Sequence, residues 1–297
     1  MERQLMTREE FDEILTEHAY WLNHNGGKQM VIHDAYIKDL EIKSESFDHV
    51  KFVDCYFDNV IFWDCLFRHS NIIKCHFSKS VFRASKFDES GFYFCRFVTA
   101  QFGHCDFYNS YLKSNVVSES TYDECDFINT LIDTTFNRTT FDFTNFKDVK
   151  FRSAYFDHCD FINSKATNIT IEVSFTLVET DFPYIPMTCP EVGSFTGWKK
   201  VTGADRGRLI VKLRIPEDAK RSSSTGRKCR CNKAIVLAIE NFDGTSANVS
   251  EAYSLYDNDF VYRVGDVVSV PDFDDDRFSV CAPGIHFFMG RQEAIDY

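Results

Sequence analysis

A large apolar residue recurs at every fifth position through the first half of the chain. The stretch 51–67 reads KFVDCYFDNVIFWDCLF and places phenylalanine at 52, 57, 62 and 67. An amphipathic helix repeats its apolar residues at steps of three and four, and a half-buried strand repeats them at steps of two. Because neither period gives a step of five, the pattern predicts a different kind of repeating unit.

This step is sustained over most of the first 180 residues. All positions of the series from Ile32 to Ile132 are apolar or aromatic. One residue is then missing, and the later positions are Phe136, Phe141, Phe146, Phe151, Phe156, Phe161, Ala166, Ile171, Leu177 and Phe182. Two places before most large residues stands a small one, usually Cys, Ser, Thr or Ala. Since residues two apart in an extended chain face the same way, both should point inward.

The pattern closely resembles the pentapeptide-repeat family over residues 30–184. The resemblance implies a right-handed quadrilateral β-helix in which four pentapeptides make one square turn. Such repeats bury their apolar faces by stacking on one another. Residues twenty apart should therefore form ladders, such as Phe47, Phe67, Phe87, Phe107 and Phe127. Roughly eight turns at about 4.8 Å each predict a rod about 38 Å long.

The ends of such a rod need covers, because an open coil exposes unpaired backbone groups. Thr7 and Glu10 form a capping-box motif ahead of Phe11, Ile14 and Leu15, which predicts an amphipathic helix ending near residues 26–27. We interpret it as the N-terminal cap; the alternative is a partner-binding helix. The predicted domains are the capping helix at 1–27, the β-helix at 28–185 and a C-terminal globular domain at 186–297.

The N-terminal sequence and the cysteines indicate the compartment. Residues 1–18 are acidic and lack a basic start followed by an apolar core, and no apolar run approaches the roughly 18 residues of a membrane span. Most of the eleven cysteines occupy the small inward position of the repeat, where a reduced thiol serves as a small buried group: Cys55, Cys65, Cys75, Cys95, Cys105, Cys125 and Cys159. We expect a cytoplasmic protein with no membrane partner.

Net charge bears on one function found in this family, which is the imitation of DNA. The whole chain has a formal net charge of -12, but residues 26–185 carry only -7, with lysine and arginine interspersed. Duplex DNA as long as the predicted rod carries about twenty negative charges. The charge therefore disfavours DNA mimicry, and we do not expect the β-helix to bind nucleic acid.

After residue 185 the sequence becomes that of a small β-rich α+β domain. Strands are predicted over 209–215 and 234–240, two short ones within 260–270, and a last helix in GRQEAIDY. The segments IPEDAKRSSSTGRKCRCNKA and CAPGIHFF resemble a C-terminal domain attached to pentapeptide repeats in bacteriophage and bacterial proteins. That resemblance implies a viral or mobile-element origin, hence a bacterial host cytoplasm, and supplies no activity.

The segment KRSSSTGRKCR, at 220–230, is the main candidate for ligand binding. Read as a loop, it offers hydroxyls, backbone amides and positive charge to an anion such as phosphate. The candidate ligand-binding residues are Lys220, Arg221, Ser222, Ser223, Arg227, Lys228 and Arg230, together with His286. The alternative is a basic loop docked on the acidic segment DFDDD at 272–276, since residues 198–233 carry +9 and residues 234–297 carry -9.

Two further groups of residues carry possible chemistry. Cys281 and His286 could act as a nucleophile and its base, although His286 could also be a core residue. A zinc site would add Cys229 and Cys231, but their spacing is not the usual CxxC, so we predict no metal and no cofactor. The motif GWKK at 197–200 could stack a base on its tryptophan or serve packing alone.

These features favour a non-enzymatic binding or adaptor protein, and the resemblance of its C-terminal domain implies that a phage encodes it. In this hypothesis the β-helix presents a C-terminal domain that binds a host protein or an anionic ligand such as a nucleotide. One alternative is an enzyme acting on a phosphate-bearing substrate, with Cys281 or His286 reactive and the neighbouring cations converging on one pocket: Arg221, Arg227, Lys228 and Arg230. Another is an inhibitor of host defence or DNA metabolism.

Overall fold

The computed structural model describes residues 3–223, 226–257, 259–279 and 282–297. The protein is mainly β: a β-solenoid with an N-terminal helix is followed by a domain built on an antiparallel sheet. The chain divides into two units, Met1–Ile185 and Pro186–Tyr297.

The solenoid consists of short strands, most of them centred on a large residue of the five-residue series. Its strands are β1 (Gln4–Leu5), β2 (Val31–His33), β3 (Ala35–Lys38), β4 (Glu41–Lys43), β5 (Lys51–Val53), β6 (Tyr56–Asp58), β7 (Ile61–Trp63), β8 (Asn71–Ile73), β9 (His76–Ser78), β10 (Val81–Arg83), β11 (Gly91–Tyr93), β12 (Arg96–Val98), β13 (Gln101–Gly103), β14 (Asp106–Tyr108), β15 (Tyr111–Ser118), β16 (Thr121–Asp123), β17 (Asp126–Ile128), β18 (Leu131–Asn137), β19 (Thr140–Asp142), β20 (Asn145–Lys147), β21 (Lys150–Asp157), β22 (Asp160–Ile162), β23 (Lys165–Thr167) and β24 (Thr170–Val178).

These strands pair in parallel with strands one coil away. Phe82 lies beside Phe62 on one side and beside Phe102 on the other, so the register is the predicted twenty residues. The side of the solenoid formed by β4, β7, β10, β13, β16, β19 and β22 is one continuous sheet. Each coil therefore satisfies its strand backbone through the coils above and below it.

The predicted phenylalanine ladder is confirmed. The ring centroids of Phe47 and Phe67 lie 4.9 Å apart, those of Phe67 and Phe87 5.0 Å, those of Phe87 and Phe107 4.9 Å, and those of Phe107 and Phe127 4.6 Å. All four pairs are stacked with nearly parallel planes. Because all five rings are also buried, stacking adds to the free energy gained by removing them from water.

The small inward residues have a second role besides fitting the space. Their hydroxyls and thiols donate to a carbonyl of the coil below, as from Cys95 Sγ to the Ile72 oxygen at 3.2 Å. The ten cysteines among the described residues are buried free thiols. Burial raises the pKa of Cys65 and of Cys159 to about 11, so these thiols are protonated at neutral pH.

Most corners of the solenoid place one residue in the left-handed backbone region, commonly Asp, Asn or another polar residue. Two corners instead carry phenylalanine: Phe94 with φ of 58° and Phe143 with φ of 46°. Both are exposed, at 57% and 59%. Since a bulky side chain is disfavoured there, each of these corners stores backbone strain.

The five-residue series lacks one residue after Ile132, and the solenoid accommodates this shortening at a corner. In β18 the chain runs straight from Leu131 to Asn137, and Thr134 pairs with Asn115, nineteen residues earlier. The solenoid completes seven turns and then half of an eighth, in which Ile171 and Leu177 pair with the coil below. The predicted eight turns are thus slightly too many, because the chain leaves the repeat after two sides of the last coil.

Both ends of the solenoid core are covered within the N-terminal unit. Helix α1 (Arg8–Leu22) has the predicted Thr7–Glu10 capping box, and its Phe11 ring is buried 6.2 Å from the ring of Phe47. Strand β1 also pairs with β3, which the sequence did not predict. At the other end the ring of Phe182 contacts the last aromatic rungs: Phe146, Phe151, Phe156, Phe161 and Phe175.

The C-terminal unit contains one nine-stranded sheet and a short helix. Its elements are β25 (Phe195–Thr202), β26 (Arg208–Ile215), β27 (Arg221–Ser223), β28 (Lys228–Cys231), β29 (Lys233–Glu240), β30 (Glu251–Tyr253), β31 (Val261–Arg263), β32 (Val267–Ser269), β33 (Ile285–Phe288) and α2 (Arg291–Asp296). The main path of the sheet is β27-β28-β33-β25-β26-β29-β32, and β30 pairs with β25 and β31. The strands predicted over 209–215, 234–240 and 260–270 and the last helix are confirmed.

Replacing Phe87 with alanine tests the contribution of one rung. The Phe87→Ala change removes a fully buried ring that stacks on Phe67 and Phe107, so we expect the free energy of unfolding to fall by about 3–5 kcal/mol. Urea denaturation followed by far-UV circular dichroism measures the change.

The matched control is Phe94→Asn, which alters the same residue type at an exposed corner. Asparagine tolerates the left-handed backbone better than phenylalanine, so this variant should lose no stability and gain up to about 1 kcal/mol. Equal losses from the two variants would contradict the assigned roles of the rungs and corners.

Candidate functional site

The basic segment 220–230 contains a β-hairpin, where the sequence analysis treated it as a loop. Strands β27 and β28 pair through Arg221–Cys231, Ser222–Arg230 and Ser223–Cys229. Because neighbouring residues of a strand point to opposite faces, the side chains of this segment divide between two faces of the sheet. The candidate residues therefore do not gather around one point.

Arg221 and Ser223 bind the surrounding backbone. The Arg221 guanidinium donates to the carbonyls of Ala219, Gly193, Pro216 and Glu217 and lies 5.2 Å from the centre of the Phe195 ring. The Ser223 hydroxyl accepts the Thr188 amide at 2.8 Å and is fully buried. Both residues thus tie the segment before β25 to the hairpin.

Arg230 connects the hairpin to the acidic segment 272–276. Its buried guanidinium donates to the carbonyls of Asp274, Asp276 and Ser279. Burial is the main cause that lowers the pKa of Arg230. Docking of the basic segment on the acidic one was an alternative raised by the sequence, and Arg230 makes such a contact. The acceptors are backbone carbonyls, however, and not the carboxylates.

The remaining hairpin candidates differ in environment. Arg227 is exposed and pairs with Glu293 at 2.6 Å, which also caps helix α2. Lys220 is exposed, and the Ser222 hydroxyl is buried without a hydrogen-bond partner among the described residues. Lys228 alone of this segment faces a cleft that His286 also lines.

This cleft lies where β25 changes its strand partner. Along one edge β25 pairs fully with β26, from Phe195 to Thr202. Along its other edge it pairs with β33 at Trp198 and with β30 at Thr202. Within the described part of the sheet no strand pairs with that edge between these two points, so the sheet forks beside Lys199 and Lys200.

The cleft at the fork has a volume of about 750 Å³. It is lined by strand residues from both sides of the fork and by the loop that follows β30: Lys199, Lys200, Lys228, Ser254, Leu255, Tyr256, Asp257, Phe260, Tyr262, Val270, Asp272, Ala282, Pro283, Gly284, Ile285, His286, Phe288 and Tyr297. The three lysines form no ion pair with any described carboxylate. We call these lysines and His286 the fork cluster.

Lys199 occupies the inner part of the fork. Its Nζ donates to the carbonyl oxygen of His286 at 3.2 Å, on the strand from which β25 has separated. Burial, and next the charge of Lys228, lower the pKa of Lys199 to about 8. Lys228 Nζ donates to the Tyr297 hydroxyl at 3.0 Å, and Lys200 Nζ lies 5.6 Å from the centre of the Phe242 ring.

His286 is held as a neutral ring. Its Nε2 lies 2.9 Å from the Ala282 carbonyl oxygen, which can only accept, so Nε2 carries the proton. Nδ1 is buried and has no hydrogen-bond partner among the described residues. Burial lowers the pKa of His286 to about 4. Cys281, the other catalytic candidate, lies outside the described residues.

The metal reading involved Cys229 and Cys231, which are both fully buried in the hydrophobic core of the C-terminal unit. Among the described residues, no group of three or more His, Cys, Asp or Glu side chains is arranged to hold a metal ion. Trp198 packs beside Ile210 and Phe288.

Sequence reasoning found two members of the fork cluster as ligand candidates and missed two. Lys228 and His286 were candidates, whereas Lys199 and Lys200 were noted only beside a tryptophan. The available signal was a pair of adjacent lysines inside a strand that is otherwise mostly apolar or small, FTGWKKVT. Their meeting with Lys228 depends on the order of β28, β33 and β25, which spacing in the sequence does not define.

The fold and the fork cluster define a repeat protein with an appended globular domain. The model of the pentapeptide repeats (8 copies) matches residues 123–168, and that of a family of unknown function (DUF5758) matches residues 185–294. The chain thus consists of a pentapeptide-repeat region and a C-terminal DUF5758 domain. No curated protein matches the chain.

Several solved structures are similar to the solenoid. A trypsin-treated form of QnrB1, a plasmid-mediated fluoroquinolone resistance protein, is 17% identical, with 48% of this chain and 82% of that chain covered and a TM-score of 0.32. HetL, a pentapeptide repeat protein involved in heterocyst differentiation regulation from the cyanobacterium Nostoc sp. strain PCC 7120, is 8% identical, with 59% and 94% covered and a TM-score of 0.24. Neither helix in the described part of this chain is long and apolar enough to span a membrane.

The protonation of His286 is directly measurable. Because its pKa is lowered to about 4 while the unfolded ring titrates near 6.5, the ring should stay neutral down to about pH 5. This difference makes the folded state lose stability as the pH falls from about 6.5 towards 4. Histidine NMR spectra recorded from pH 8 to pH 4 should show the transition of His286 near the lower limit.

His158 provides a control within the same molecule. A hydrogen bond from its ring to Asp157, and next the charge of Glu179, raise the pKa of His158, so it should titrate above 6.5. If His286 and His158 titrated at the same pH, the buried neutral state of His286 would be wrong.

Proposed function

We propose that the protein is a binding protein whose C-terminal domain holds a phosphate-bearing small molecule in the cleft at the fork, while the solenoid serves as its scaffold. The observation that carries this proposal is a cleft lined by three lysines, none of which forms an ion pair with a described carboxylate. No catalytic role is needed for it.

The charge of the cleft supports an anionic ligand. Ammonium groups placed close together without carboxylate partners repel one another, and a bound anion relieves that repulsion. The lowered pKa of Lys199 reports this environment, because Lys228 contributes to the shift along with burial. Asp257 and Asp272 also line the cleft, but neither lies within ion-pair distance of a described lysine.

The rim of the cleft favours a ligand that also carries an aromatic ring. Tyr256 is 82% exposed and Tyr297 is 51% exposed, and both line the cleft. Exposed rings beside a cationic site can stack a base whose phosphates contact the lysines. We therefore propose a nucleotide as the ligand class.

The exposed rings of the solenoid support a second function, the binding of a partner protein. Phe94 and Phe143 are exposed at strained corners, where a polar residue would be more stable. Exposed aromatic residues of this kind are enriched in protein interfaces. On this proposal the partner is a host protein and the chain a phage-encoded adaptor; interference with host defence or DNA metabolism stays a prediction.

The enzymatic alternative has less support. It requires Arg221, Arg227 and Arg230 to converge with Lys228 and His286, whereas the three arginines bind carbonyls or a carboxylate outside the cleft. His286 remains a possible base through Nδ1, and Cys281 lies outside the described residues.

Removing single lysines from the cleft tests the proposed ligand site. Calorimetric titration of the full chain with ATP should give saturable binding, and Lys200→Gln and Lys228→Gln should each weaken it about tenfold or more, since a hydrogen bond to a charged group contributes about 1.5–3 kcal/mol.

The matched control is Arg227→Gln, which removes one positive charge from the hairpin outside the cleft. It should leave the affinity for ATP within about threefold of the unchanged protein. An equal loss in the Arg227 variant would favour the basic hairpin as the site, and no ATP binding by the unchanged protein would refute the nucleotide proposal.

A further inference from the structure

Burial acts on the amine of Lys199 and lowers its pKa. Its ammonium donates to the carbonyl of His286, and no described carboxylate pairs with it. It lies on a strand between the buried Gly197 and Val201, which fixes the position of its backbone. Its amine is therefore held in place at the inner part of the cleft.

The same surroundings make this amine more nucleophilic than that of an ordinary lysine. An amine attacks only in its neutral form, and burial beside a second cation favours that form. With a pKa of about 8, roughly two hundredfold more of the neutral amine is present at pH 7.5 than for an unperturbed lysine. Lys200 and Lys228 line the same cleft and supply positive charge for an anionic substituent.

We propose that Lys199 forms an imine with the carbonyl group of an anionic aldehyde or ketone bound in the cleft. This inference rests on the proposed anion site and adds a covalent step to it. The neutral Nζ attacks the carbonyl carbon to give a carbinolamine, which loses water as the C=N bond forms. No oxidant or reductant takes part, and hydrolysis returns the free amine and the carbonyl compound.

Labelling with pyridoxal 5′-phosphate, which carries both an aldehyde and a phosphate, tests the proposal. The full chain is incubated with the reagent at pH 7.5, reduced with borohydride, digested and mapped by mass spectrometry. Lys199 should be modified at least tenfold faster than any other lysine, and excess pyrophosphate should slow that reaction by a similar factor. The rate at Lys199 should rise with pH and level off above about pH 8.

The variants Lys199→Arg and Lys212→Arg separate this site from its neighbours. The first should lose the preferred adduct, and the second, which changes a lysine on the adjacent strand β26, should retain it. Modification spread evenly over exposed lysines, or concentrated on Lys200, would overturn the imine proposal. This distribution of modified lysines is measured on the unchanged protein, so the test does not depend on whether a variant folds.

A separate titration of the unchanged protein with pyrophosphate keeps the two proposals distinct. Saturable binding of pyrophosphate without preferred labelling of Lys199 would overturn the imine alone. Absence of both pyrophosphate binding and preferred labelling would overturn the anion site on which the imine depends.

Discussion

Buried peptide groups need hydrogen-bond partners, and the two units meet this constraint differently. The solenoid pairs its strands regularly, whereas one strand of the C-terminal sheet changes its partner. In the solenoid most partners lie on the next coil, so the backbone repeats with a period of about twenty residues and the side chains must repeat with it. In the C-terminal sheet the pairing of β25 passes from β33 to β30, and the strands separate between Trp198 and Thr202. The ammonium of Lys199 reaches into that separation and binds the His286 carbonyl.

The separation of the strands also explains the chemistry of the cleft. A regularly paired strand would occupy the edge of β25 beside Lys199 and Lys200, whereas the fork leaves that edge open to the cleft. Arg221 and Arg230 contribute indirectly, because their guanidinium groups bind carbonyls on the segments that flank the hairpin. The basic residues of this domain thus divide into those that hold the fold and those that remain available to an anion.

The sequence predicted the solenoid well because its core is one-dimensional. Each Phe rung depends only on residues five and twenty positions away, so the positions of Phe47, Phe67 and Phe87 follow from the period. The half turn at the end was harder to predict, since Phe175 and Phe182 fill the end of the core without following the step.

The candidate site was less predictable because it depends on contacts between distant segments. Lys199 and Lys228 come together only through β33, which lies between their strands, and nothing in their spacing indicates that arrangement. The segment KRSSSTGRKCR was interpreted as a loop from its composition, but alternation in the hairpin buries Ser223 and Arg230 on different faces. The composition of the sequence thus predicted a basic region. Which of the basic residues line the cleft depends on the order of the strands in the sheet.

We propose that the lysines lining the fork, and not the arginines of the basic hairpin, form the anion site. Anomalous diffraction from crystals of the full chain soaked in tungstate, an analogue of phosphate, tests it directly. We expect an anomalous peak within hydrogen-bond distance of at least two of the ammonium groups of Lys199, Lys200 and Lys228. The absence of a peak from the cleft, together with a peak at Arg227, would contradict the proposed anion site.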